Sequence, residues 1–241
     1  MIIVRIKYYQ YTNKGGRNHN EDYVSCYVNG GADGGIFVLA DGLGGHGNGE
    51  VASELVAETI IENLKNSEKI YADAIYEAME SANERLINRQ ERQPQYRSMK
   101  TTAVLLCIQG NDIFCAHTGD SRLYHFYGGG VRFITADHSV SYKKFVQGEI
   151  SFDAISDDED RSALLRVMGN SDRFEPEITM LSQPLDTSGA FLLCSDGLYN
   201  MLPDSRIAAL IANSQNPVED LVADANLRGG ADNISVILIP H

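Results

Sequence analysis

A chain of 241 residues with 43% hydrophobic and 22% charged side chains is neither disordered nor fibrous. Its 20 Lys and Arg stand against 33 Asp and Glu, and the net charge of −13 opposes nucleic acid and the anionic face of a membrane as partners. No apolar run approaches the ~18 residues of a membrane span, and the first residues lack the basic-then-apolar order of a secretory signal. None of the four cysteines, Cys26, Cys107, Cys115 and Cys194, belongs to a Cys-x-x-Cys pair, and the last three sit in apolar runs. The expectation is a reduced, cytoplasmic protein without a thiolate metal site.

In chain order, residues 23–28 read as a strand and residues 36–40 as a buried one. Residues 50–64 carry Val51, Leu55, Val56, Ile60 and Leu64 on one helical face. Residues 70 to about 92 repeat Ile70, Ala74, Ala78, Ala82 and Leu86 at every fourth position and predict a second helix. Strands follow at 101–108 and 113–117, joined by a turn, then at 122–127 and 131–135 around Gly128-Gly-Gly130. Residues 139–162 are the least regular and include Asp157-Asp-Glu-Asp160, which reads as a solvated, mobile loop. A strand at 191–194, helices at about 204–212 and 217–228, and a strand at 234–239 complete the chain. Paired helices between runs of hairpins are not βαβ alternation; they predict an α+β fold with helices outside antiparallel sheets.

Gly42-Leu-Gly-Gly-His-Gly47 satisfies the dinucleotide pattern G-x-G-x-x-G. A Rossmann unit, however, ends its second parallel strand at the ribose-binding acid, and here the candidate, Glu62, falls inside a predicted helix. Asp41 also stands directly before the glycines, where it would repel a pyrophosphate. At the end of a buried strand, Asp41 is expensive unless paired or bound to metal, and the glycines let backbone carbonyls approach whatever it holds.

The pattern recurs. Glu21 and Asp22 precede a strand, Asp120 follows Gly119 after one, Asp196 precedes Gly197 after another, and Asp232 follows Gly229-Gly-Ala231 before the last. A turn or a helix cap explains any single one of them. If the sheets bring these ends together, only metal holds so many carboxylates close. All-oxygen ligands select Mg²⁺ or Mn²⁺, and no His-Glu-x-x-His or Cys cluster suggests zinc. Two such ions about 3.5–4 Å apart make a hydroxide from a bridging water and clamp a phosphoryl group. Arg17, close in sequence to Glu21, has the planar fork that suits a phosphate.

Six segments together resemble the metal-dependent serine/threonine protein phosphatases of type 2C (PPM) in their compact bacterial form. They are Arg17-Asn-His-Asn-Glu-Asp22, Asp41-Gly-Leu-Gly-Gly-His46, Thr118-Gly-Asp-Ser-Arg122, Asp137-His-Ser139, Ser195-Asp-Gly-Leu198 and Gly229-Gly-Ala-Asp-Asn-Ile-Ser235, in the family's order. The resemblance implies a single domain over residues 1–241, an αββα sandwich of two antiparallel sheets flanked by helices, with a mobile flap at about 139–162. It implies that Asp41 bridges two metals, that Asp196 and Asp232 complete the first site, and that Glu21 and the Gly42 carbonyl bind the second. Asp22 would hold coordinated water, Asp120 with Asp196 would serve a weaker third ion, and Arg17 would bind the substrate phosphate.

The implied reaction is hydrolysis of phosphoserine and phosphothreonine in proteins by in-line attack of the bridging hydroxide. No cysteine has an Arg six residues later, so a phosphocysteine route is not expected. Leu43 stands where some relatives carry a His proposed as general acid, so the source of the leaving-group proton is open; His46 is expected to hold the loop. The rival readings are a phosphatase-like domain that binds metal and phosphoprotein with little turnover, and another two-metal phosphohydrolase. An opposing Ser/Thr protein kinase is implied by the resemblance alone. A monomer is expected, because no coiled-coil heptad appears.

Overall fold

In chain order, the computed structural model runs β1 (Tyr9–Asn13), β2 (Asp22–Val28), β3 (Gly34–Leu43), α1 (Gly49–Leu64), α2 (Ala72–Arg92), β4 (Lys100–Thr101), β5 (Ala103–Gln109), β6 (Asp112–Thr118), β7 (Arg122–Tyr127), β8 (Gly130–Ile134) and α3 (Val140–Val146). It continues with β9 (Glu177–Met180), β10 (Gly189–Cys194), α4 (Asp196–Tyr199), α5 (Asp204–Asn213), α6 (Pro217–Leu227) and β11 (Ile234–Pro240). The described residues are 6–29, 34–43, 48–171, 174–181 and 189–241. One sheet has the order β1-β11-β10-β7-β8 and the other β2-β3-β5-β6-β9, with β4 added beside β3. The strand pairs are antiparallel.

Strand alternation builds the layers. Phe37 and Leu39 of β3 and Val104 and Leu106 of β5 face the other sheet, where Phe191, Leu193, Ile237 and Ile239 meet them. Their neighbours Ile36, Val38, Ala103 and Leu105 point the other way, onto Val56 and Ile60 of α1 and Met79 and Leu86 of α2. On the far side, Leu192, Val236 and Leu238 pack under Ile207 of α5 and Leu221 and Val222 of α6. The central strands are thus buried on both faces, which is why they read as unbroken apolar runs rather than as alternation. The result is the expected αββα sandwich.

The structure revises several elements. The 101–108 strand is two pieces, β4 and β5, because at Thr102 side-chain bonds to the β3 backbone interrupt the ladder. Helix α2 begins at Ala72, and its buried stripe is Ile75, Ala78, Met79, Ala82 and Leu86. A spacing of four drifts off a face that turns every 3.6 residues. Ile70 precedes the helix and donates its N–H to Gln109 Oε1 at 2.8 Å. Strands β1 and β9 add to the expected set; both are short edge strands with largely solvent-facing side chains, which blurs an apolar signal.

Residues 139–162 are more ordered than a solvated loop. They contain α3, capped by Ser139 Oγ on the Tyr142 N–H, and a 3₁₀ turn at Phe152–Asp157. Asp158 organises them. Its Oδ1 accepts from Ser141 Oγ at 2.6 Å and from Lys144 Nζ at 3.0 Å, and Lys144 also reaches Asp160 at 2.8 Å. Two acids of the run, Asp158 and Asp160, therefore tie residues 139–162 together. The four thiols are free, and burial pushes Cys26 and Cys107 up to about 12.

Candidate active site

The sheets carry the candidate acids to one end of the sandwich. Asp22 opens β2 and lies opposite Asp41 in the β2–β3 register. Asp196 opens α4 directly after β10, whose Cys194 pairs with Val236 of β11 and with Arg122 of β7. That pairing brings the turn before β7, with Asp120, and the approach to β11, with Asp232, to the same edge. Asp41, Asp120, Asp196 and Asp232 line an open cleft of about 720 Å³ together with Arg17, Glu21 and Gly42. Asp22 is buried beneath it.

The backbone around each acid is held from behind. Thr102 donates its N–H to the Asp41 carbonyl at 2.9 Å and accepts the Asp41 N–H on Oγ1 at 3.0 Å. Asn233 accepts the Glu21 N–H at 2.8 Å and donates to the Lys14 and His19 carbonyls, both at 2.9 Å. Tyr199 donates its hydroxyl to the Asp120 carbonyl at 3.1 Å, and Asn200 donates to Asp196 Oδ2 at 3.1 Å. Ser195 donates to Asp22 Oδ2 at 2.8 Å and receives the Ser235 N–H at 3.0 Å. Asn233, Ser195 and Ser235 lie inside the motif segments, so spacing could have marked them. Thr102, Tyr199 and Asn200 carry no such signal.

The electrostatics fit a hard cation. Burial pushes Asp22 up to about 7, with Asp196 and Asp232 adding to the effect and two serine hydroxyls opposing it. Burial and the neighbouring Asp232 push Asp196 up to about 6. Asp41 lies well above the carboxylate range, through burial and then the charges of Asp22, Asp196, Asp120 and Asp232. Burial and Asp196 do the same to Asp120. Among the described residues, the buried Asp22 Oδ1 has no hydrogen-bond partner. A Cβ on Gly49 would crowd the Gly42 carbonyl at 2.7 Å and the Glu21 carboxyl carbon at 2.8 Å, so this glycine lets two oxygen donors share one spot. Desolvated carboxylates, an orphaned oxygen and a carbonyl form an all-oxygen donor set that suits Mg²⁺ or Mn²⁺.

Arg17 is the cation of the cleft mouth. Its Nη2 donates to Asp232 Oδ2 at 2.7 Å, and its Nε reaches the Ala231 carbonyl at 3.3 Å. Leu43 lines the cleft and has no proton to give, whereas His19 lines the same cleft and was not singled out in the sequence. His46 and its glycines at 44, 45 and 47 lie outside the described residues. Behind the site, Arg122 and Asp137, both in motif segments, form a buried two-pronged pair at 2.8 and 2.6 Å under the Tyr199 ring. The Arg122 guanidinium also meets the Tyr124 hydroxyl at 3.1 Å and lies 5.4 Å from the centre of the Phe152 ring.

One nitrogen-bearing cluster was not anticipated. His117, His138 and Glu177 bring potential ligand atoms within 4.8 Å of one another. Their hydrogen bonds argue for packing instead. The rings stack at 4.5 Å, His117 Nε2 meets the Ala136 carbonyl at 2.8 Å, and His138 Nδ1 accepts the Gly119 N–H at 3.3 Å. The remaining His138 nitrogen faces the Arg166 guanidinium at 3.3 Å, a cation where a metal would have to sit.

With this geometry in place, likeness to known proteins decides the family. The sequence matches the profile described as protein phosphatase 2C over residues 13–229. The chain belongs to the protein phosphatase 2C family. The protein phosphatase PhpP of Streptococcus pneumoniae is 31% identical to this 2C-family chain over 234 residues, 92% of each. The serine/threonine phosphatase PstP/Ppp of Mycobacterium tuberculosis superposes with a TM-score of 0.86 at 28% identity, covering 98% of this chain and 99% of its own. The catalytic domain of PstP in complex with two manganese ions gives 0.85 at 27% identity, covering 98% of each chain.

Proposed function

We propose that the protein is a metal-dependent phosphatase that hydrolyses phosphoserine and phosphothreonine in proteins, with Mn²⁺ or Mg²⁺ as cofactor. The observation that carries this is the convergence of Asp41, Asp120, Asp196 and Asp232 on one cleft with Asp22 beneath them. Two divalent ions in such a cleft supply a water acidic enough to act as hydroxide near neutral pH and the positive charge that phosphoryl transfer needs. Asp41 would bridge them. Asp196 and Asp232 would complete one site, Glu21 and the Gly42 carbonyl the other, and Asp120 with Asp196 a weaker third. Asp22 would hold coordinated water from below.

The chain's own residues orient the substrate. Arg17 uses Asp232 as its partner in this structure. Once Asp232 is engaged as a ligand, the guanidinium fork is free to take two phosphate oxygens. Arg17→Ala should lower kcat/KM on a phosphothreonine peptide about 10–100-fold, mostly through KM, the range for losing a charged hydrogen bond. Mn²⁺ binding isotherms should barely move; a loss confined to Mn²⁺ affinity would reassign Arg17 to the metal site.

His19, which lines the cleft, is our candidate for the leaving-group proton that Leu43 cannot supply. His19→Gln should slow a phosphothreonine peptide at least about tenfold, because an alkoxide leaves poorly without an acid. It should leave p-nitrophenyl phosphate untouched, since nitrophenolate needs no proton. Equal slowing of both substrates would remove His19 from this role.

The substrates are phosphorylated proteins, supplied by an opposing Ser/Thr protein kinase. A cytoplasmic monomer fits the composition, and no helix among the described residues is long and apolar enough to cross a membrane. The deciding experiment is phosphate release from a phosphothreonine peptide with Mn²⁺, abolished by chelation. Mn²⁺ binding without turnover at any ion concentration would favour the phosphatase-like binding domain instead.

A further inference from the structure

Outside the cleft, the C-terminal part of α2 and the segment after it form a locally positive stretch of this acidic chain. Residues 85–100 hold Arg85, Arg89, Arg92, Arg97 and Lys100 against the single acid Glu91, which is 5 − 1 = +4 in a chain of −13. Three of these arginines form one wall of a cavity of about 340 Å³, completed by Leu55 of α1, Asn88 and Gln93. Arg85, Arg89 and Arg92 are spaced four and three residues apart on α2, so like charges share a helix face, an arrangement that folding energy opposes by a few tenths of a kcal/mol per pair. The negative end of α2 offsets part of this for Arg89 and Arg92, which fall in its last turn. It does nothing for Arg85, Arg97 and Lys100.

Arg89 is the telling residue. Its guanidinium lies over the Tyr96 ring at 4.8 Å, and its buried Nε has no hydrogen-bond partner among the described residues. Among the described residues, Arg85 has a single, solvent-exposed ion-pair partner, Glu62 at 3.2 Å. An arginine over an aromatic ring, with an unspent buried donor beside a cavity and two more arginines, is prepared for an anion.

The cavity is also connected to the active site. From Gln93 the chain passes through Tyr96 to Lys100, which pairs with Leu43, and to Thr101, whose hydroxyl donates to the Asp41 carbonyl at 2.8 Å. Eight residues separate Gln93 from Thr101, so the cavity lies at most about 28 Å of chain from the catalytic strand end. We propose that the Arg85–Arg89–Arg92 cavity binds a run of Asp or Glu side chains in the phosphoprotein substrate, within about eight residues of the phosphorylated Ser or Thr. A net charge of −13 disfavours an acidic substrate at long range, and this patch gives it a local landing point. The inference rests on the protein-phosphatase reading above.

The test compares two fluorescein-labelled phosphothreonine peptides that differ only in a run of four Glu or four Gln, four to eight residues from the phosphate. Wild type is compared with the Arg89→Gln/Arg92→Gln double variant, since Gln keeps the helix favourable. The expected result is a KM about fivefold to tenfold lower for the Glu peptide with wild type, as for a few partly screened ion pairs. The double variant should lose that preference with unchanged kcat, and both proteins should turn over p-nitrophenyl phosphate equally. Fluorescence anisotropy of the same peptides should show the same difference at low salt and lose it near 0.5 M salt. Because anisotropy needs no turnover, absent hydrolysis with a retained binding difference would count against the proposed function and not against this site. Equal KM and equal binding of the two peptides, a preference that survives in the double variant, or tight binding of an oligonucleotide in place of the Glu peptide would each overturn it.

Discussion

Asp41→Asn should lower the Mn²⁺-dependent kcat/KM on p-nitrophenyl phosphate by more than about a hundredfold, above the ~10–100-fold typical of residues that only support a ligand. The same change should raise the melting temperature of the protein stripped of divalent ions. Both follow from one fact: burial and four neighbouring carboxylates hold the Asp41 carboxyl far above its ordinary range. Ionised Asp41 therefore destabilises the fold unless cations balance it. An amide has the shape of the neutral acid and removes that cost, at the price of the bridging ligand. Activity with Mn²⁺ and thermal unfolding with chelator at pH 8 check the two halves. Equal activity in variant and wild type would remove Asp41 from the centre of the site, and a lower melting temperature in chelator would show that it serves packing instead.

The second large effect is a pH dependence that metal abolishes. Asp22 and Asp196 shift from an ordinary 3.8 to about 7 and about 6 in the folded chain. Between those values the folded protein holds protons that the unfolded chain has released, so the stability these two acids contribute is fully present below about pH 4 and is lost as pH rises through 6 and 7. The melting temperature in chelator should drop by several degrees from pH 4.5 to 7.5, since each kcal/mol is worth about 2–4 °C at this size. Saturating Mn²⁺ should flatten the curve by binding the ionised acids, with stabilisation that grows with pH. Most proteins lose stability on acidification instead, so a melting temperature that rises from pH 4.5 to 7.5 in chelator would refute the picture of desolvated, mutually repelling acids.

Much of the fold was legible because the central strands are buried on both faces: Ile36 to Ala40 and Phe191 to Cys194 could be little other than core strands. The carboxylates were legible for the complementary reason, because an acid at the end of such a run needs a purpose. What stayed hidden depends on contacts across long sequence separations. The edge strands β1 and β9 have weak patterns and become strands only by pairing with β11 and β6. The flap reads as polar loop because Asp158 finds Ser141 and Lys144 only after the chain has turned back. Thr102 and Tyr199 look like ordinary strand and helix residues until their partners Asp41 and Asp120 are brought to them. The fork of Arg17 could be expected to face a phosphate, but not to rest on Asp232 meanwhile.

The buried thiols have a consequence for life under oxidative stress. Cys107, Cys115 and Cys194 are sealed in the sandwich, and even Cys26, partly reachable, is held by burial near 12, so almost no thiolate exists at neutral pH. Peroxide attacks the thiolate and not the thiol. A phosphatase whose nucleophile is a low-pKa cysteine falls silent in a peroxide burst. The cleft of this chain is lined by carboxylates and no cysteine, so peroxide that silences a cysteine-dependent phosphatase should leave its phosphopeptide turnover unchanged.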